Sequence, residues 1–155
     1  MNESRPHATS GQKHFIGAGV VVLRHSSSEA EVLLIQRGKP PRKGEWSIPG
    51  GRQEFGEKIR ETAQRELQEE TGLTLKDLTL VDIVDACRMD SSANIHWTLV
   101  DFCTLWDGTE AHAGSDAEAV RWVPLSRLDD YNLWTETIRI IAEASRLLEM
   151  NGKSK

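Results

Sequence analysis

The chain has 155 residues, of which 38% are hydrophobic, and a formal net charge of −5 with a pI near 5.5. That length suits one domain with a buried core, and the apolar fraction together with five Trp excludes a disordered segment. The acidic balance argues against a nucleic-acid binder, whose footprint is basic.

No apolar run reaches the 18 residues that a membrane span requires, so no membrane partner is expected. The N-terminus MNESRPHATSGQK lacks an apolar signal region. Cys87 and Cys103 are too few for a disulfide framework and read as cytoplasmic thiols.

In chain order, residues 1–12 are polar and read as a flexible tail ahead of a single domain over 13–150, with 151–155 a frayed end. Phe15 to Leu23 is a continuous run rich in β-branched residues, the pattern of a buried strand. After a Ser-rich turn, Glu31 to Gln36 is its expected hairpin partner. Arg37 to Gly44 is a basic loop with two consecutive prolines, which cannot continue a ladder. Glu57 to Thr71 is the best helix, with Ile59, Ala63 and Leu67 forming one apolar stripe and Gly72 placed to stop it.

Leu78 to Cys87 and Ile95 to Trp106 read as two strands turning near Ser91–Ser92. That register sets Cys87 opposite a residue near 97, several pairs from Cys103, which argues against a bridge. A polar loop over 107–117 precedes a short strand, Ala119 to Val123. Ser126 to Tyr131 is a turn or short helix, and Thr135 to Met150 a final helix. Adjacent strands mixed with helices favour an α/β or α+β sandwich with a mixed sheet.

One stretch carries the chemistry. Gly51 is followed by Glu57, then by Arg65, Glu66 and Leu67, then by Glu69, Glu70, Gly72 and Leu73. By chance such a nine-position match is expected on the order of 10⁻¹⁰ per start position. Glu66, Glu69 and Glu70 share the i, i+3, i+4 spacing of one helix face. Like charges that close repel, and a hard divalent cation with oxygen ligands reverses the sign of that interaction. Glu57 near the helix start also favours the dipole.

The spacing Gly-x5-Glu-x7-Arg-Glu-U-x-Glu-Glu-x-Gly-U, with U a bulky apolar residue, resembles the box of the Nudix hydrolases. RGKPPRKGEWSIPGG, VDIVDACRMD, TLVDFCTLWDG and SDAEAVRWVPLSRL extend the likeness toward the bacterial ADP-ribose pyrophosphatase-type branch. The resemblance implies the Nudix fold, an α/β/α sandwich with a mixed central sheet. It implies Mg²⁺ (or Mn²⁺) held by Glu66, Glu69 and Glu70, with Glu57 supporting the site or ligating through water. A backbone carbonyl of Gly50 or Gly51 adds a ligand, and Arg65 orients a glutamate. The implied reaction is attack on a diphosphate by a cation-activated water. Glu69, Glu70 or an acid outside the box, Glu118 ahead of Asp116, would take the proton.

Arg37, Arg42 and Lys43 suit phosphate contacts, Arg52 follows the diglycine, and Trp46 could stack on a base. Asn132 and Trp134 fall where several relatives contact the base; His96 and His112 are weaker candidates. The partner implied is a small nucleotide, ADP-ribose or a related sugar nucleotide ahead of a (d)NTP. A non-catalytic nucleotide sensor and removal of an RNA 5′ cap are further alternatives. Subfamily markers are absent: DACRMD lacks the proline of many ADP-ribose enzymes and the tyrosine of dinucleoside-polyphosphate enzymes. Relatives are often homodimers, and Trp97 or Trp106 suits an interface or a core, so oligomeric state stays open.

Overall fold

A computed structural model describes residues 11–26, 28–40, 42–90 and 93–152. In chain order it contains β1 (Gln12–His25), β2 (Ala30–Arg37), β3 (Trp46–Ser47), β4 (Gly50–Arg52), α1 (Ile59–Thr71), β5 (Thr79–Asp90), β6 (Ala93–Leu105) and β7 (Ala117–Pro124). A 3₁₀ turn, Leu125–Tyr131, then leads to α2 (Thr135–Gly152).

β1 is the axis of the sheet. Along one edge it pairs in parallel with β6, from Gln12 opposite Asn94 to Leu23 opposite Leu105. β5 runs antiparallel outside β6. On the other edge β1 meets β2 for only three pairs, Leu23 to His25 against Val32 to Ala30. β7 pairs along the far edge of β2.

The short β1–β2 ladder has a cause. β3 pairs with β2 at Ile35 and Gln36, and β4 pairs with β1 from Gly17 to Gly19. The chain between β2 and α1 therefore enters the sheet as a wedge and holds β1 and β2 apart at one end. The diglycine Gly50–Gly51 stands at that opening.

Each face of the sheet buries one apolar cluster. Ala63 and Leu67 of α1 pack on Ala18, Val20, Val22, Leu33 and Phe102. Ile140, Ile141 and Ala144 of α2 pack on Val21, Leu23, Val32, Leu34 and Cys103. Each fully buried Leu, Ile, Val or Phe contributes roughly 1.5–3 kcal/mol. Helices on both faces of a mixed sheet make the expected α/β/α sandwich.

Several boundaries move. α1 starts at Ile59, not at Glu57, because Gly56 turns with φ +84° and the Glu57 side chain is bound elsewhere. It stops where expected, with Gly72 left-handed at φ 76°. β1 begins at Gln12, inside the expected tail, since β6 offers ladder partners down to Asn94. The two-residue and three-residue strands β3 and β4 carry no strand signal of their own. Cys87 lies opposite His96 and Cys103 opposite Thr79, so the two thiols are far apart in register and both are free. The expected turn at Ser91–Ser92 and the end beyond 152 lie outside the described residues.

Candidate active site

Gly51 faces α1 so closely that a Cβ there would run into the Glu66 carboxylate. One turn on, Glu70 accepts a hydrogen bond from the Gly50 backbone N–H at 3.1 Å. The two catalytic-box segments, diglycine and helix, are thus joined through backbone and carboxylate. Glu70 is 8% exposed, and burial with the nearby Glu66 charge pushes its pKa up to about 8. Burial raises Glu66 as well, with Arg65 acting against it.

Arg65 organises the remaining acids. Its Nε donates to Glu57 at 2.7 Å and Nη2 to the same carboxylate at 3.1 Å, a bidentate pair. Nη1 donates to Glu66 at 2.9 Å and to Glu69 at 3.2 Å, and Nη2 also reaches the Arg52 carbonyl at 3.0 Å. Arg65, joined by the Thr62 hydroxyl at 2.7 Å, holds the Glu57 pKa down at about 2. Arg65 itself is raised by the same contacts. The sequence placed Arg65 on one glutamate; the structure gives it hydrogen bonds to three and a looser ion pair with Glu54 at 3.9 Å.

The donor set suits a hard divalent cation. Every side-chain ligand candidate is a carboxylate oxygen, the class that Mg²⁺ and Mn²⁺ prefer. Burial raises two of them, an electrostatic cost that a cation beside them would remove. Among the described residues no three acids already converge on a common point, since Arg65 and the Gly50 N–H now hold them. Cation binding would therefore draw Glu66 and Glu69 from one side of the Arg65 guanidinium.

Asp116 and Glu118 stand differently. The loop before β7 caps the C-terminal end of α1, with the Gly114 N–H on the Glu70 carbonyl at 3.0 Å and the His112 N–H on Thr71 at 2.9 Å. Asp116 and Glu118 then turn toward the basic loop. Lys39 pairs with Asp116 at 2.7 Å and Lys43 with Glu118 at 3.6 Å. Both outside acids are exposed, so each pair is worth at most about 1 kcal/mol and is readily exchanged. His112 lays its ring against Gly72, while His96 bonds Asp85 at 2.8 Å and stacks on His14.

The basic residues divide likewise. Arg37 at the end of β2 bears electrostatically on Glu70. Arg42 is exposed and sits in a left-handed turn at φ 64°. Arg52 lies over the Phe15 ring at 5.0 Å.

Trp46 meets Tyr131 edge-on at 5.2 Å, with Arg121 over its ring at 5.0 Å. These three residues wall an open cavity of about 510 Å³, and Asn132 lines a neighbouring one of about 240 Å³ that also touches Trp46. Trp134 is exposed and lines neither. Sequence reasoning missed Thr62, Gly114, Arg121 and Tyr131. Only folding brings Thr62 and Gly114 to the box residues and Arg121 and Tyr131 to Trp46, and no local pattern marks them.

A family model described as "NUDIX domain" matches residues 13–144. The chain belongs to the Nudix family. A relative from Mycobacterium tuberculosis, named putative 8-oxo-dGTP diphosphatase 2, is 37% identical over 125 residues, 79% of this chain and 84% of its own length. An ADP-ribose pyrophosphatase from Methanocaldococcus jannaschii is 35% identical over 63% of this chain and 57% of its own length. Some curated relatives are far longer: the chain spans 29% of putative nudix hydrolase 1 of Caenorhabditis elegans and 20% of the human 8-oxo-dGDP phosphatase NUDT18. Among solved structures, the Nudix domain of Shewanella oneidensis NrtR bound to ADP-ribose superposes with a TM-score of 0.76 at 22% identity, covering 94% of both chains. A MutT Nudix hydrolase from Burkholderia pseudomallei gives 0.72 at 26% identity, covering 85% of this chain and 98% of its own. No helix among the described residues is long and apolar enough to cross a membrane.

Proposed function

We propose that this Nudix protein is a divalent-cation-dependent pyrophosphohydrolase that cuts the diphosphate of a small nucleotide. The observation that carries the reading is the Glu57–Arg65–Glu66–Glu69 network, with Glu70 bonded to the diglycine at the opening of the sheet. When bound, the cation would neutralise diphosphate charge and lower the pKa of a coordinated water.

The chain's own groups do the rest. Glu66, Glu69 and Glu70 are the candidate ligands, with the Gly51 carbonyl as a backbone candidate. Arg65 fixes Glu57 and restrains Glu66 and Glu69, so the acids are gathered around one guanidinium before a cation draws them together. Arg37 is suited to a phosphate oxygen, since its charge already bears on Glu70. Glu69 is the exposed member of the set and the best placed to exchange a proton with solvent, and Glu118 becomes available if Lys43 moves onto substrate phosphate. Trp46 offers an aromatic surface for the nucleoside end.

ADP-ribose or a related sugar nucleotide is the first substrate class, by the segments outside the box. A mutator-type (d)NTP pyrophosphohydrolase is the second, favoured by the near full-length likeness to the M. tuberculosis protein. The test is a panel assay with Mg²⁺ or Mn²⁺ on ADP-ribose, other sugar nucleotides, dNTPs and dinucleoside polyphosphates. Cation-dependent release of a nucleoside monophosphate from at least one class is expected. Tight binding without turnover on any would return the protein to the sensor reading.

A further inference from the structure

α1 buries two threonines, Thr62 and Thr71, and their hydroxyls do different things. Thr71 Oγ1 donates to the Leu67 carbonyl at 2.6 Å, the back-bond that a buried helical threonine makes to the preceding turn. Thr62 has the same option, since the Lys58 carbonyl lies 3.3 Å from its hydroxyl. Glu57 Oε1 is closer, at 2.7 Å. A hydroxyl has one hydrogen to give, and the nearer, charged acceptor takes it. The Lys58 carbonyl does not depend on it, because the Thr62 backbone N–H already bonds there at 3.0 Å. The Thr62 side chain therefore serves Glu57 and not the helix.

The donors on Glu57 are unevenly divided. Oε1 accepts from Thr62, from the Glu54 backbone N–H at 3.2 Å and from Arg65 Nη2 at 3.1 Å. Oε2 accepts from Arg65 Nε at 2.7 Å. The last torsion of a glutamate is soft, so the plane of its carboxylate is set by what holds each oxygen. Thr62 pins Oε1, and the pinned plane is the one that Arg65 meets with Nε and Nη2 together. Nothing else of Arg65 is left over. Its remaining N–H groups go to Glu66, Glu69 and the Arg52 carbonyl, which completes the five donors of a guanidinium. The fork is rigid, so turning the Glu57 plane would turn Nη1 away from Glu66 and Glu69.

We propose that Thr62 is a positioning residue of the candidate cation site. Its hydroxyl sets the rotation of the Glu57 carboxylate, and through Arg65 it sets where the Glu66 and Glu69 carboxylates stand before a cation is bound. The inference rests on the hydrolase reading above and deepens it. Thr62 is 0% exposed, so it acts only through Glu57. The box pattern leaves its position open, as one of the unspecified residues between Glu57 and Arg65.

The experiment compares wild type with Thr62→Val, Thr62→Ser and Thr71→Val, each checked for native circular dichroism. Valine keeps the shape of threonine without the donor, and serine keeps the donor. Thr71→Val removes the other buried hydroxyl of the same helix, and Thr62→Ala removes the Glu57 donor by a second route should valine disturb the fold. Solvent exchange of the Arg65 Nε–H is followed by nuclear magnetic resonance without cation, and Mn²⁺ affinity by electron paramagnetic resonance without nucleotide. Thr62→Val should speed the exchange at least threefold and weaken Mn²⁺ binding at least threefold. Thr62→Ser and Thr71→Val should stay within twofold of wild type on both, whatever Thr71→Val costs in stability. In a rate titration the Mg²⁺ midpoint of Thr62→Val should rise, by more than kcat at saturating cation falls. Unchanged exchange and Mn²⁺ affinity in Thr62→Val would overturn the proposal, as would equal losses in Thr62→Ser or Thr71→Val. A wild type that binds no Mn²⁺, with Nε–H exchange still governed by the Thr62 hydroxyl, would instead overturn the cation reading alone.

Discussion

On the α1 face of the sheet, Glu57 takes hydrogen bonds from Arg65 and Thr62, Glu66 and Glu69 share the same guanidinium, and Glu70 takes a backbone N–H. On the α2 face, Asp101 is as buried as Glu70 and its carboxylate takes none. Charge sets the two apart. The α1 acids form a network whose members are held by donors but remain in excess of positive charge, the condition under which a cation binds. Asp101 lies opposite Asp82 in the ladder and within the field of Arg139, whose guanidinium is already committed to Asp82 and Glu136. One face carries a cluster of carboxylates of the class that a hard cation prefers, and the other a single buried acid whose surroundings raise its pKa.

The contrast breaks most sharply at the helix acids. Glu69→Gln and Glu70→Gln should each lower kcat at least a hundredfold, the usual weight of a proton-transfer or ligand group, with the fold unchanged by circular dichroism. Near-wild-type, cation-dependent kcat in both would remove the α1 face from the chemistry.

Arg65→Lys comes next. A lysine carries the charge but not the planar fork, so it cannot serve Glu57, Glu66 and Glu69 together. A roughly tenfold loss of kcat is expected, together with a weaker apparent cation affinity in a Mg²⁺ titration of rate. If lysine restores both, the network needs only charge at that position.

The smallest effect is on stability and has the opposite sign. Burial and the Asp82 charge raise the Asp101 pKa to about 6. As pH rises from about 4 to 6, the unfolded chain has released this proton while the folded chain still holds it. Stability therefore falls across that window and stays lower above it, by about 3 kcal/mol in the limit. Asp101→Asn carries no such cost. It should be the more stable protein in urea at pH 8, with the gap closing toward pH 4. A gap independent of pH would show that the carboxyl is solvated, and the two faces would no longer differ as described.

The box helix could be read from sequence because its signals are local: an apolar stripe of Ile59, Ala63 and Leu67 and a terminating Gly72. The Arg65–Glu57 contact also follows from the box, although Glu57 is outside the helix and reaches back to it. The parallel pairing of β1 with β6 was not legible, since no sequence pattern names a distant partner. β3 and β4 are too short to show alternation and exist because the splayed edges of β2 and β1 supply their partners. Asp101 was passed over for the same reason. In the run TLVDFCTLW it is one polar residue in a strand, and only folding brings Asp82 and Arg139 to bear on it.

The central pairing of β1 with β6 also bears on how the chain acquires its shape. β1 is made first, yet its longest ladder waits until α1, β5 and the whole of β6 exist. Until then it has three pairs to β2 and three to β4, and its other edge is open. Parallel pairing between distant segments is slow because loop closure must precede any gain. The strand whose residues 20–23 are all buried in the finished protein is thus the one longest exposed while the chain is being synthesised. The interval before β6 emerges is when a sticky, one-edged sheet could meet another chain.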